Sequence, residues 1–424
     1  MRFDHVIFDF DGTLCDTGPG IVESARYALE RMRRDAEDSV LRKFVGPPLE
    51  FAFRELCGMT AEEAAEAARL FREHYRGGAM YRSAVYPGMR TLLRALKRYG
   101  VHAAVVSGKN EWALRRQLEH FRLSGFFECV SGGDPAHPDA DKSRRMLGVL
   151  PEGIDMERVC VVGDRRFDVD SARAAGAHSI MVGYGYGDAG EISSCGPDET
   201  AADVGDLYSR LLGDAPKPRG RLITFEGTDG CGKSTQIGLT AEWLRSLGED
   251  VVLTREPGGC PISERIREVI LSLDSRGMSA ECEALLYAAA RIEHVREVIL
   301  PQLEAGRVVL CDRFLDSSIA YQAWGRELGE DFIRQINSAA SEAVVPDVTV
   351  LLSLSREKAK KRMENGAPPD RLEMEEDAFF ERLNEGYCAV AAREPERVHV
   401  IDATGTVEEI FERICPAVLP EEDG

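Results

Sequence analysis

The stretch Gly227-Thr228-Asp229-Gly230-Cys231-Gly232-Lys233-Ser234-Thr235 decides how the second half of the chain is read. Its first eight residues fit the spacing G-x-x-x-x-G-K-[ST]. It follows the β-rich run Leu222 to Phe225, and Ser234 to Leu247 has helical character. In that strand–loop–helix context glycines let the backbone curl, so that its N–H groups and the dipole of the following helix face a phosphate. Lys233 adds a point charge for the β and γ oxygens, and the Ser234 hydroxyl can reach Mg²⁺. A nucleoside triphosphate site is predicted here.

Outward from this loop, short β-rich runs alternate with longer helical segments: Val251 to Thr254, Val308 to Cys311, Val348 to Leu354 and Val398 to Ile401. That alternation predicts an α/β fold with a parallel sheet, whose ligands gather just past the strands' carboxyl ends. Those positions carry Thr254-Arg255-Glu256-Pro257-Gly258-Gly259, Asp312-Arg313-Phe314 and Ser317-Ser318-Ile319-Ala320-Tyr321-Gln322, with Tyr287-Ala288-Ala289-Ala290-Arg291 on a helix between them. Tyr287 and Arg291 stand at i and i+4, so one helical face can offer a ring to a base and a guanidinium to its carbonyl oxygen.

These ordered motifs, from about Arg221 to the C-terminus, resemble thymidylate kinase of the bacterial type. The resemblance implies a nucleoside monophosphate kinase fold and transfer of a phosphoryl group from MgATP to dTMP. Two anions meet in line in such a reaction, so cations are needed on the acceptor as well as the donor. Arg255 and Arg313 are the candidates for the dTMP phosphate, Tyr287 and Arg291 for thymine, Asp229 for the acceptor sugar, and Tyr321 and Gln322 for the border of sugar and base. Asp312 is expected to help organise Mg²⁺. Basic residues Arg356, Lys360, Lys361, Arg362 and Arg371 flank the loop Asn365 to Asp370, which the resemblance makes a lid over ATP. Position 230 is Gly, where some members carry an arginine, so Arg362 or Arg371 would supply the transition-state cation. Asp402-Ala403-Thr404-Gly405 matches the segment that holds adenine.

The first half has its own strand runs, Val6 to Phe10, Val101 to Val106, Val159 to Val162 and Ser179 to Val182. Between the first two lies an insertion, roughly Gly18 to Tyr86, rich in Ala, Glu, Arg and Leu and without a clear strand, which predicts a helical subdomain. Asp9 and Asp11 stand two apart where a strand leaves the sheet, and period 2 would lean both carboxylates to one side, a concentration of charge that calls for a divalent cation. Ser107, Lys142 and Gly163-Asp164-Arg165-Arg166-Phe167-Asp168 follow in order.

This second set, over about Met1 to Leu212, resembles the haloacid dehalogenase-like phosphatases, nearest the phosphoglycolate phosphatase group with its Rossmann-like core and helical cap. The resemblance implies Asp9 as nucleophile, forming an aspartyl-phosphate, and Asp11 as acid and base. It also implies Mg²⁺ held by Asp9, the Asp11 carbonyl and Asp164 with Asp168 behind, and Ser107 and Lys142 on the phosphoryl oxygens. Many relatives place that lysine in a Lys-Pro pair, whereas here Pro138 precedes Lys142 by several residues, and Lys109 is the fallback. The substrate is left between a nucleotide and 2-phosphoglycolate. An N-terminal half that regulates or dimerises without catalysis is the rival reading.

The chain's 424 residues suit two or three domains. The Gly- and Pro-dense stretch Gly213 to Gly220 predicts the seam: residues 1–213, a linker at 214–220, and 221–424. A net charge of −20 excludes nucleic acid as the expected partner and leaves small anions held in pockets. No run is long and apolar enough for a membrane span, acids interrupt the first residues, and eleven scattered cysteines suggest reduced thiols. A cytoplasmic bifunctional enzyme with Mg²⁺ and ATP, paired as a homodimer, is the resulting expectation.

Overall fold

A computed structural model describes residues 1–133, 142–363, 371–372 and 374–419. His137, Pro138 and the loop at 365–370 fall outside them. The chain divides into two compact units, whose main bodies are Met1–Pro216 in the first and Lys217–Leu244 with the chain from Asp250 onward in the second.

In the first unit, β1 (His5–Phe8), β4 (His102–Asn110), β5 (Cys129–Gly133), β6 (Val159–Gly163), β7 (His178–Val182) and β8 (Glu199–Ala201) form one sheet in the order β5-β4-β1-β6-β7-β8. Every pairing is parallel. Strand β1 lies between β4 and β6, with Phe8 opposite both Val105 and Val162. The loops after these three strands therefore open side by side where the strand order reverses. All of β6 is buried, as a strand covered on both faces must be.

Several expectations are corrected. The first strand stops at Phe8, because Phe10 turns its carbonyl to the N–H groups of Leu14 and Cys15, closing a tight turn. Asp9 and Asp11 thus sit in a loop, and their carboxylates go to different partners. Strand β4 runs through Ser107 to Asn110, with an irregular register after Val106, so Ser107 is inside the strand. The insertion contains a short strand, β3 (Ala84–Val85), paired antiparallel with β2 (Cys15–Asp16) at its base. Strands β5 and β8 were not anticipated, being short and flanked by polar residues.

The rest of the insertion is mainly helical: Gly18–Arg31, Leu49–Cys57 and Ala61–Arg76 bury Ala25, Ala28, Phe53, Ala67 and Phe71 together with Phe44 of the short turn Arg42–Phe44. Its alanines at helical spacing let the helix axes approach closely. Thr60 and Glu63 form a reciprocal cap at the start of the third helix.

In the second unit, β9 (Leu222–Glu226), β10 (Val251–Arg255), β11 (Val308–Asp312), β12 (Val348–Ser353) and β13 (Val398–Asp402) pair in parallel in the order β10-β11-β9-β12-β13. Strand β9 lies between β11 and β12, with Phe225 opposite Asp312 and Val350. The glycine-rich loop after β9 and Asp312-Arg313 after β11 therefore leave the sheet together.

At the exit of β1, Gly12 has φ +77°, and a Cβ there would lie 2.1 Å from Asp164 Oδ2 and 2.6 Å from the Tyr186 ring. Gly12→Ala is expected to lower the stability of the first unit by more than about 1 kcal/mol, since an alanine resists that φ and overlaps a buried carboxylate. Urea unfolding followed by circular dichroism checks it, and an unchanged first transition contradicts it.

Candidate active sites

In the first unit the three adjoining loops bring Asp9, Asp164 and Asp168 together. All three are buried, with one carboxylate oxygen from each within 4.8 Å of the others. The Asp9 N–H donates to Val162 O across the sheet at 2.9 Å, which fixes the loop. Lys142, the first residue of the helix Lys142–Gly148, sends Nζ to Asp9 Oδ1 (2.9 Å) and Asp168 Oδ1 (2.5 Å). Burial raises the Asp164 carboxyl to about 8 and the Asp9 carboxyl to about 6; nearby acid charge adds to both, while Lys142 opposes the rise at Asp9. Asp164 Oδ2 accepts from the Tyr186 N–H at 2.7 Å, whereas Oδ1 is buried with no partner among the described residues.

An unpartnered buried oxygen among three converging carboxylates fits a hard cation such as Mg²⁺, which takes oxygen ligands. The Asp11 side chain is not part of this cluster. Its Oδ1 accepts from Thr17 Oγ1 and from Lys109 Nζ, both at 2.7 Å. The fallback lysine therefore grips Asp11 and also donates to Tyr75 Oη of the helical insertion at 2.8 Å. Lys142 takes the place beside Asp9. Ser107 is buried and accepts from the Lys109 N–H at 3.3 Å, leaving its own proton to donate. Tyr75 and Tyr186 escaped the sequence reading because long-range contacts, not spacing, bring them to the site.

In the second unit the glycine-rich loop takes left-handed φ at Gly227, Gly230 and Gly232, of +128°, +79° and +102°. At Gly230 a Cβ would lie 2.6 Å from Ala359 O, so only glycine fits. Lys233 Nζ rests on the carbonyls of Gly227 (3.1 Å) and Thr228 (3.2 Å), while Ser234 and Thr235 are exposed. Cys231 turns its thiol into the apolar core, and burial pushes that thiol up, so the residue serves the loop through its backbone.

Beside the loop is a cleft lined by Asp229, Tyr287, Arg291, Arg313, Tyr321 and Gln322 among others. Arg313 has φ +71°, strained for an arginine, and is held by Asp229 Oδ1 (2.6 Å), Gly227 O (3.0 Å) and Ser317 Oγ (3.2 Å). Burial would raise Asp229, but the Arg313 and Lys233 charges hold it down at about 2. Arg291 is only 2% exposed and donates to Glu256 Oε2, Asn337 Oδ1 and Phe314 O, which leaves its remaining N–H bonds for the cleft it lines. Tyr321 Oη and Asp312 Oδ1 are buried without partners among the described residues.

Two expected residues are elsewhere. Arg255 is half exposed and pairs with Glu264 at 2.9 Å; it does not line the cleft, because Glu264, anchored by the Gly259 N–H, draws it outward. Arg267, on the helix Pro261–Leu271, lines the cleft instead. Its helical spacing to Leu271, another lining residue, was the available signal. Arg371 is 9% exposed and bound to Glu283 Oε2 (2.7 Å) and Ile270 O (3.1 Å), away from the phosphate loop. Arg362 reaches the loop, donating to Cys231 O (3.2 Å) and to Ala403 O (3.0 Å).

Two buried acids were also missed. Glu256 lies next to Arg255 in the quoted stretch and lines the cleft. Glu226, the acid ending an apolar strand, accepts from the Phe314 N–H (2.7 Å) and Ser317 Oγ (2.5 Å), tying the loop after β11 to the root of the phosphate loop. Burial raises Glu226 to about 8, with the Asp316 charge adding to the effect.

Comparison with known proteins follows the same division. The family described as thymidylate kinase matches residues 225–414, and the family described as haloacid dehalogenase-like hydrolase matches residues 6–182. The thymidylate kinase of Pelobacter propionicus is 47% identical over 206 residues, covering 47% of this chain and 94% of that protein. That of Pelotomaculum thermopropionicum is 50% identical over 187 residues, covering 44% and 87%. Among solved structures, a predicted phosphatase from Clostridium acetobutylicum is 32% identical, with a TM-score of 0.46, over 50% of this chain and 99% of its own. The chain belongs to the thymidylate kinase family through its C-terminal half, and its N-terminal half matches the haloacid dehalogenase-like hydrolases in one α/β enzyme.

Proposed function

We propose that the C-terminal domain transfers the γ-phosphoryl group of ATP to dTMP, giving dTDP. The observation that carries the reading is the cleft itself: Arg313, paired with Asp229 of the glycine-rich loop, lines it together with Tyr287 and Arg291. Arg313, already bound to the loop carbonyl of Gly227, places a guanidinium where donor and acceptor phosphates meet. Arg267 takes the role of second acceptor cation in place of Arg255. Tyr287 stacks on the base and Arg291 donates to its carbonyl oxygen. Lys233 leaves its loop carbonyls for the β and γ oxygens, Ser234 and Asp312 address Mg²⁺, and Arg362 stabilises the transferring group. Asp229 and Tyr321 border the sugar.

The N-terminal domain hydrolyses a phosphomonoester in two steps on its own side chains. Asp9 attacks phosphorus and the phosphate–oxygen bond to the leaving group breaks, with Asp11 giving that oxygen its proton. Asp11 then takes a proton from water as the water oxygen displaces the Asp9 carboxylate, releasing phosphate. Mg²⁺, held by Asp9, Asp164, Asp168 and the Asp11 carbonyl, supplies charge that lets two anions meet. Ser107 and Lys142 hold the phosphoryl oxygens, and Lys109 orients Asp11. A nucleotide or 2-phosphoglycolate is the substrate. Among the described residues no helix is long and apolar enough to cross a membrane; we place the enzyme in the cytoplasm, with homodimerisation part of the same proposal.

Lys233→Ala is expected to cut dTDP formation from ATP and dTMP by at least about a hundredfold, read by coupled assay, since it removes a cation from the transferring phosphates. Wild-type turnover in that variant contradicts the assignment. Asp9→Asn is expected to abolish phosphate release from an aryl phosphate, while undiminished release removes Asp9 from the mechanism.

A further inference from the structure

Gln322 lines the acceptor cleft, and a buried carboxylate, that of Glu283, stands behind its amide. Glu283 is 1% exposed and stands one turn before Tyr287 on the helix Ala280–His294. Its Oε1 accepts from Gln322 Nε2 at 3.0 Å and Arg326 Nε at 3.3 Å; its Oε2 accepts from Arg371 Nη2 at 2.7 Å and Arg326 Nη2 at 3.1 Å. Burial alone would raise Glu283, but the Gln322 bond and the neighbouring arginines hold it below the usual carboxylate range, so it stays an acceptor only. A primary amide facing such a group must present its NH₂ to it and its oxygen to the other side. Gln322 lines the cleft, and its Oε1 accepts no hydrogen bond among the described residues.

We propose that Glu283 is a positioning residue for base selectivity, fixing the Gln322 amide so that its oxygen faces the cleft and requires an N–H donor on the pyrimidine edge. The inference rests on the dTMP kinase reading. Thymine offers a carbonyl oxygen to Arg291 and an N3–H to Gln322 Oε1. Cytosine reverses both, bringing an amino group toward a guanidinium and a bare N3 toward a carbonyl oxygen. A site with both polarities fixed rejects it, because each mismatch leaves a buried polar group unpaired.

Replacing Glu283 by Gln releases the constraint. The new side chain keeps an oxygen toward Arg326 Nη2 and Arg371 and puts its NH₂ where Oε1 stood, giving up the 3.3 Å bond from Arg326 Nε, so that Gln322 reverses and offers a donor to N3. The test measures kcat/KM for dTMP and for dCMP in the full chain, with KM for ATP as a check on the donor site. Wild type is expected to favour dTMP strongly. Glu283→Gln is expected to lower the dTMP-to-dCMP ratio by about tenfold or more, with KM for ATP within about twofold of wild type. Glu283→Asp, still an acceptor only, is expected to keep most of the ratio. An unchanged ratio in Glu283→Gln overturns the proposal.

If Glu283→Gln does not fold, Gln322→Met, which leaves the arginine pairs on Glu283 in place, is expected to lose the same discrimination. Full discrimination in that variant overturns the proposal equally. A wild-type chain that does not favour dTMP over dCMP refutes the dTMP reading instead.

Discussion

Each domain gathers buried negative charge just past the carboxyl ends of its central strands, and the rest of its architecture manages that repulsion. In the N-terminal domain Asp9, Asp164 and Asp168 converge on one point, and burial with mutual repulsion raises Asp9 and Asp164 well above ordinary carboxylates. One lysine, Lys142, offsets part of it, and the buried Asp164 Oδ1 has no partner among the described residues. In the kinase domain the sign is managed differently. Asp229 is paired outright by Arg313 and Lys233, while Glu226 is buried under hydroxyl and N–H donors where burial favours its neutral form. A chain of net charge −20 thus sets a few buried cations against the carboxylates of its two candidate sites.

The sheets make those few groups sufficient. In both domains the first strand is flanked on either side by later strands, β4 and β6 around β1, and β11 and β12 around β9. That order places the first loop, which carries Asp9 in one case and Lys233 in the other, beside loops from distant parts of the sequence. Accuracy comes from buried backbone bonds such as Asp9 N–H to Val162 O and Phe314 N–H to Glu226.

Much of this was legible in the sequence for a physical reason. Loop chemistry that needs glycine at left-handed φ, as at Gly227, Gly230 and Gly232, leaves a fixed spacing, and buried parallel strands leave uninterrupted apolar runs. Asp164, Asp168, Arg313 and Tyr287 were found because they stand in or beside such patterns. What could not be read depends on which side chain captures which. Glu264 pulls Arg255 outward and Glu283 captures Arg371, so two arginines of the right type at the right spacing are committed elsewhere. Lys142 was the expected lysine and Lys109 its fallback, and three-dimensional reach sends Lys109 to Asp11 and Lys142 to Asp9. The period-2 argument for Asp9 and Asp11 failed because the turn closing on Phe10 ends the strand before it.

The central claim is that the converging carboxylates of the first domain are a divalent cation site and not a charge cluster tolerated by folding. It is tested most directly by titrating the metal-free full chain with Mn²⁺, without nucleotide, and following free Mn²⁺ by electron paramagnetic resonance. The account predicts a bound ion in wild type that disappears in Asp164→Asn and persists in Lys233→Ala. Equal binding in Asp164→Asn, or none in wild type, would contradict it.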